Sequence, residues 1–237
     1  MQNNSLIEFS DLSLSYGDAL VLKNVSFKVD VGDYVFFLGK NGSGKSTLVK
    51  SIFSKTNHKR GAVKKCPSLM DNSYISYVPQ LTRINNELPI TVEEFVDLGR
   101  LNSKSTYTVQ DVLEMVSMSD YKDSSIWALS GGQRQRVLLA RSFIRDAKLY
   151  IFDEPTNGVD IESKQDFYNL INEFSKEKMI SKIVVTHDVS MAVKYGQKVA
   201  YFNNKSVQVS DVDVKIKSRF SEMIHLQDQF FKGLNND

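Results

Sequence analysis

Between Leu6 and Leu38 apolar and polar positions alternate: Ile7, Phe9, Leu12, Leu14 and Tyr16, then Val25, Phe27 and Val29. A period of two puts every other side chain on one face, so this stretch predicts half-buried β-strands. Val35-Phe36-Phe37-Leu38 is a continuous apolar run ending at a glycine, the pattern of a strand buried on both faces. The period then changes. Leu48, Val49, Ile52 and Phe53 recur at helical spacing. Residues 55–78 read as further strands and turns. From Thr91 to about Tyr121 the pattern is helical, with Val92, Phe95, Val96 and Leu98, then Val112, Leu113 and Val116, on apolar faces. After Gly131-Gly132, a helix is indicated by Val137, Leu138, Ala140, Phe143 and Ile144. Leu149–Phe152 predicts a strand, Glu162 to Glu177 a long amphipathic helix, and Lys182–Val185 and Val199–Phe202 two more strands. Strands alternating with helices imply a mostly parallel α/β sheet. The helical stretch around 91–125 reads as an insertion into that core, and 211–237 as helical.

Composition narrows the function classes. The chain has 237 residues, of which 41% are hydrophobic and 24% charged, an ordinary balance for a globular protein. A net charge of +2 gives no electrostatic case for wrapping nucleic acid, and no nucleic-acid partner is expected. Cys66 is the single cysteine, which excludes an internal disulfide and a cysteine metal cluster and suits a reducing interior. Met1 to Phe9 has neither the basic nor the long apolar region of a signal peptide. The longest apolar runs, Tyr34–Leu38 and Val137–Ala140, are too short to span a bilayer. A role at a membrane would therefore need a partner to supply the membrane part.

Three segments carry chemistry. Gly39-Lys40-Asn41-Gly42-Ser43-Gly44-Lys45-Ser46 follows the apolar strand and opens the next helix. In that context its glycines let backbone N–H groups turn around phosphate oxygens, and the helix N-terminus adds partial positive charge. Lys45 can reach the β- and γ-phosphates, and the Ser46 hydroxyl can ligate Mg²⁺. A Gly/Ser-rich turn with an incidental lysine does not account for this strand–loop–helix context. Leu149-Tyr150-Ile151-Phe152-Asp153-Glu154 is an apolar strand ending in two acids. Parallel sheets bind ligands at the carboxyl ends of their strands. If the chain curves there, Asp153 approaches the Mg²⁺ shell while Glu154 faces the attacking water. Read alone, the pair is equally a solvated strand end. Leu129-Ser130-Gly131-Gly132-Gln133 places a serine and two glycine amides at a helix start, a second anion site. Since the chain already has one phosphate loop, this turn makes sense if it reads a γ-phosphate held by another chain. The alternative is a serine-capped helix after a glycine turn.

The ordered set of segments resembles the ATP-binding cassette (ABC) family over essentially the whole length, read as a single ABC ATPase domain, 1–237. The resemblance implies a P-loop NTPase (RecA-like) α/β core with an N-terminal antiparallel β-subdomain and an inserted α-helical subdomain at about 83–134. Gly39–Thr47, including Asn41, Gly42, Ser43, Gly44, Lys45, Ser46 and Thr47, matches the Walker A motif. Leu129–Gln133 matches the signature motif without substitution. Asp153 and Glu154 match the Walker B aspartate and catalytic glutamate. Tyr16 stands where an aromatic ring stacks on adenine, and Gln80, in Tyr77-Val78-Pro79-Gln80, matches the Q-loop. Asn157-Gly158-Val159-Asp160 occupies the D-loop; it differs from the common Ser-Ala-Leu-Asp form but keeps Asp160. His187, in Thr186-His187-Asp188, matches the switch histidine.

The family pattern implies two copies pairing head to tail around two ATP molecules, each site formed by Walker A of one copy and Ser130, Gly131, Gly132 and Gln133 of the other. Glu154 would act as general base, Ser46, Asp153 and Gln80 would serve Mg²⁺, and Lys45 and His187 would stabilise charge on the γ-phosphate. The same resemblance implies an integral membrane permease as partner, an extracellular substrate-binding protein acting indirectly, and a place on the inner face of the cell membrane. The run from Tyr77 through Glu87-Leu88-Pro89-Ile90-Thr91-Val92 to Gly99-Arg100, with Pro155–Asp160, is similar to cassettes of zinc and manganese importers. Cassettes of iron-chelate or cobalamin importers look much alike, and a soluble ABC ATPase of iron–sulfur cluster assembly is the alternative of a different class.

Overall fold

The structure is a computed structural model and describes residues 4–54, 58–79, 89–100, 105–176 and 179–212. In chain order its elements are β1 (Ser5–Tyr16), β2 (Ala19–Asp30), β3 (Tyr34–Leu38), α1 (Lys45–Phe53), β4 (His58–Lys65), β5 (Ile75–Val78), α2 (Val92–Asp97), α3 (Val109–Met115), α4 (Gly131–Phe143), β6 (Leu149–Asp153), α5 (Ile161–Lys176), β7 (Ser181–Thr186), α6 (Val189–Tyr195), β8 (Lys198–Asn203) and β9 (Ser206–Asp211). The chain divides into two compact units, each assembled from several segments.

The first unit comprises Met1–Ile7, Lys28–Gly32 and Lys64–Val184. Its strands follow in the order β5, β6, β7, and β5 pairs with β6 in parallel, Val78 opposite Phe152. All five residues of β6 and all six of β7 are buried, as expected of strands covered on both faces. The helical stretch read as continuous from Thr91 resolves into two short helices. Thr91 and Thr108 each close a capping box, with Glu94 and Asp111, so the chain starts a helix twice. Backbone and hydroxyl hydrogen bonds from these threonines hold both carboxyls below the usual carboxylate range. Of the helical subdomain expected at 83–134, residues 83–88 and 101–104 lie outside the described residues. Phe143 stacks on Phe174 at 3.8 Å, fixing the end of α4 against α5.

The second unit comprises Glu8–Phe27, Asp33–Val63 and Val185–Asp237. It holds most of a three-stranded sheet ordered β2-β1-β4, in which the two-residue turn between β1 and β2 makes an antiparallel hairpin. It also holds β3, β8 and β9 in that order. β3 pairs with β8 in parallel, and β8 with β9 antiparallel. Every residue of β3 is buried; burying Phe36 and Phe37 stabilises the strand by about 1.5–3 kcal/mol each. β9, not foreseen from the pattern, is made by a tight hairpin in which Asn204 and Lys205 both take left-handed φ, 47° and 63°, the backbone a two-residue turn requires. The helix expected over 211–237 falls, from residue 213 on, outside the described residues. Among the described residues no helix is long and apolar enough to cross a membrane.

Candidate functional site

In the second unit, β3 feeds the predicted phosphate loop directly into α1. Two of its glycines are glycine for reasons the backbone makes plain. Gly39 has φ 155°, and an added Cβ would lie 2.6 Å from the Phe202 carbonyl and 2.8 Å from Ser43 Oγ. Gly44 is the N-cap of α1 with φ 102° and makes no side-chain cap, and a Cβ there would meet Leu22 at 2.9 Å. A side chain at either point would be strained and would also fill the concavity. Lys45 is buried, and its Nζ donates to the carbonyls of Gly39 (2.6 Å) and Lys40 (3.0 Å), so the ammonium lies across the loop's own backbone. Ser43 Oγ is buried and makes no hydrogen bond among the described residues. Ser46 and Thr47 occupy the first turn of α1, where helix N–H groups have no intrahelical acceptor.

In the first unit, Asp153 closes β6 at 8% exposure and accepts a hydrogen bond from Tyr77 Oη on β5 at 3.1 Å. Glu154 follows with φ 49°, the left-handed region. A non-glycine residue held there stores roughly 1–3 kcal/mol of strain, and such residues gather at functional sites. The chain thus turns out of the strand at Glu154, as the strand-end reading anticipated, and Asn157 N–H returns to the Glu154 carbonyl at 3.4 Å. Tyr77 carries no signal of a role in the sequence motif. Nothing in the sequence pairs it with Asp153; the β5–β6 register does.

The signature turn is built differently from the phosphate loop. Ser130 is the N-cap of α4 in an extended conformation, φ −62° and ψ 166°. Its Oγ accepts from Gln133 N–H at 3.2 Å, and Gln133 Oε1 accepts from Ser130 N–H at 2.9 Å. This reciprocal pair is a complete capping box. Ser130 and Gln133 side chains are therefore engaged within their own turn, while Gly131 has open space where a Cβ would stand. At Gly132 a Cβ would meet Ser163 Oγ at 3.1 Å. Ser163 in turn donates its N–H and hydroxyl to the two carboxylate oxygens of Asp160, at 2.9 and 2.8 Å. Those bonds hold the Asp160 carboxyl below the usual range. Arg136, expected on a solvated face with salt bridges open to it, reaches the Val116 carbonyl (3.2 Å) and Asp166 (2.8 Å) and so ties α4 to the end of α3 and to α5.

The first unit carries Ser130–Gln133, Asp153, Glu154 and Asp160; the second carries Tyr16, Gly39–Thr47 and His187. Tyr16 ends β1 and is 49% exposed. His187 is exposed on the turn between β7 and α6, a turn fixed by Asp188, whose N–H donates to Thr186 Oγ1 and whose carboxylate caps α6. Gln80 lies outside the described residues.

Residues 22–157 match the family model for ABC transporters. Among curated proteins, the chain is 33% identical over 198 residues to the zinc import ATP-binding protein ZnuC of Buchnera aphidicola, covering 84% of this chain and 81% of the relative. It is 36% identical over 192 residues to a probable metal transport system ATP-binding protein of Thermotoga maritima, covering 80% and 78%. Among solved structures it superposes on cbiO1 of Clostridium perfringens, part of the ABC transporter complex cbiONQ, with a TM-score of 0.79 at 23% identity, covering 95% of this chain and 94% of that one. At that identity the likeness speaks to the fold, an α/β ATP-binding cassette.

Proposed function

The chain belongs to the ABC transporter family of ATP-binding subunits, and from that premise we propose that it hydrolyses Mg·ATP as a pair of identical copies to drive a permease importing a divalent metal ion, zinc or manganese. The observation that carries the hydrolytic part is Glu154, strained at φ 49° directly after the buried Asp153. Hydrolysis needs positioning and charge neutralisation more than covalent chemistry. The glycine cradle at Gly39 and Gly44, the unbonded Ser43 hydroxyl and the α1 N-terminus suit a triphosphate. Ser46 and Asp153 offer the hard oxygens that Mg²⁺ prefers, an ion that when bound neutralises phosphate charge. Gln80 is proposed for the same ion by motif alone. Glu154 accepts a proton from the water that attacks the γ-phosphorus, the bond to the bridging oxygen breaks, and ADP and phosphate leave. Lys45 and His187 stabilise the charge on the transferred group, and Tyr16 stacks on the adenine. Ser130–Gln133 and Asp160 serve the triphosphate held by the other copy.

A groove lined by Tyr77, Pro79, Leu98, Leu138, Arg141 and Arg145 is proposed as the seat of a permease helix. Leu98 is exposed at its rim, and the Arg141 guanidinium lies 4.5 Å over the Phe95 ring. The permease would hold the chain on the inner face of the membrane, with a substrate-binding protein acting from the far side. The names of the zinc and metal relatives support the cargo. Glu154→Gln should keep ATP binding, lose turnover and yield a stable ATP-bound pair; near-normal turnover would remove Glu154 as the base. Uptake measured metal by metal in a strain lacking the chain tests the cargo, and unchanged zinc and manganese uptake would contradict it.

A further inference from the structure

Gln135 lies in the second turn of α4, on the face it shares with Leu138 and Ser142. That face is turned inward, and Gln135 itself is 1% exposed. A buried amide is costly unless both its ends are bonded. Here Nε2 donates to the backbone carbonyl of Pro155 at 2.9 Å, while Oε1 is buried and makes no hydrogen bond among the described residues. Methionine, of similar length and volume, would fill the space and remove the unbonded oxygen, but would leave the buried Pro155 carbonyl without this donor. What the amide supplies is a link. Pro155 directly follows the left-handed Glu154, and Gln135 stands two residues beyond the capping box that shapes the signature turn. Arg136 ties the same end of α4 to Asp166 on α5, and the Gln135 amide is a hydrogen-bonded route from α4 to the carbonyl beside Glu154.

We infer that Gln135 is a positioning residue that ties the signature helix to the Glu154 turn through the Pro155 carbonyl, so that a triphosphate seated on Ser130–Gln133 sets the general base. This rests on the reading of Glu154 as base and of the signature turn as a phosphate sensor. Gln135 touches no reacting atom; it acts through the backbone.

The test uses the full chain with Gln135→Met, and Gln135→Leu as a second filling variant should the first not fold. kcat for ATP is expected to fall about 10- to 100-fold, the loss a misplaced catalytic group brings, while KM and the ATP Kd stay within about twofold. The thermal midpoint should fall by no more than a few degrees, because the lost hydrogen bond to the Pro155 carbonyl is offset in part by removal of the unbonded Oε1. Single-turnover cleavage in a Glu154→Gln background provides the readout that structural damage would not mimic. There Gln135→Met should add no further loss, since the group it positions is already disabled, whereas general damage would lower both backgrounds by the same factor. A parent-like kcat in Gln135→Met, or equal loss in both backgrounds, overturns the inference. If Glu154→Gln is inactive and Gln135→Met fully active, the coupling alone fails. If Glu154→Gln itself turns over normally, the reading beneath it fails.

Discussion

The phosphate loop and the signature turn are both glycine-rich entries into a helix, yet their glycines answer different needs. At the phosphate loop the backbone itself demands glycine: Gly39 and Gly44 take φ 155° and 102°, with neighbours within 3 Å of any added Cβ. The helix it opens has no side-chain cap. At the signature turn the backbone is ordinary, the cap is a full Ser130–Gln133 box, and Gly131 faces open space. One turn takes a backbone that only glycine adopts without strain, and it closes into a concavity suited to the proposed phosphates. The other takes ordinary φ at both glycines: Gly132 leaves room for Ser163, and Gly131 faces open space.

This difference separates the effects of small substitutions. The largest effect is expected at the phosphate loop, where Gly44→Ala combines left-handed strain with a clash on Leu22. Titration with Mg·ATP should show affinity weakened about 100-fold. Gly131→Ala should leave the affinity of the single chain within about twofold, because the triphosphate proposed to meet this turn is held by the other copy, while turnover falls about tenfold or more. Loss of ATP affinity in Gly131→Ala would erase the contrast between the two turns. A smaller effect follows from the caps. Ser130→Ala removes a side-chain cap that α1 never had, and urea unfolding should report about 1 kcal/mol of lost stability. The smallest concerns Asp160, which holds Ser163 beside Gly132. Its carboxyl is depressed by the Ser163 hydrogen bonds, so the stability it contributes is present above the ordinary value of 3.8 and lost as pH falls through the lower folded value. The difference in thermal midpoint between the parent and Asp160→Asn should therefore persist at neutral pH and shrink in acid.

Much of this was legible in the residues. β3 and the apolar run of β6 that ends at Asp153 are readable because burial on both faces leaves continuous hydrophobic runs. The loop at Gly39–Ser46 and the turn at Ser130 are readable because their glycines and caps occupy fixed offsets from a helix start. Less was legible where the cause is tertiary. The left-handed φ of Glu154 has no signature in a residue that is not glycine. The Tyr77–Asp153 bond exists because β5 and β6 happen to pair in that register. Gln135 shows only as a polar residue on an inward helical face, and its partner, the Pro155 carbonyl, is backbone and invisible in any pattern. The division of the 91–121 stretch could have been read, since Thr91 and Thr108 each precede an acid by three residues; the apolar periodicity ran across the break and concealed it.

Mixing two disabled chains tests most directly whether the two turns serve one ATP across two copies. Lys45→Ala lacks a working phosphate loop and Ser130→Arg a working signature turn, so each alone should be inactive. Paired head to tail, they form one site with both parts intact. Single-turnover ATP cleavage by the equimolar mixture should rise well above either variant alone. Cleavage that stays at the level of the separate variants, with mixed pairs shown to form, would mean that the two turns do not meet on a shared nucleotide.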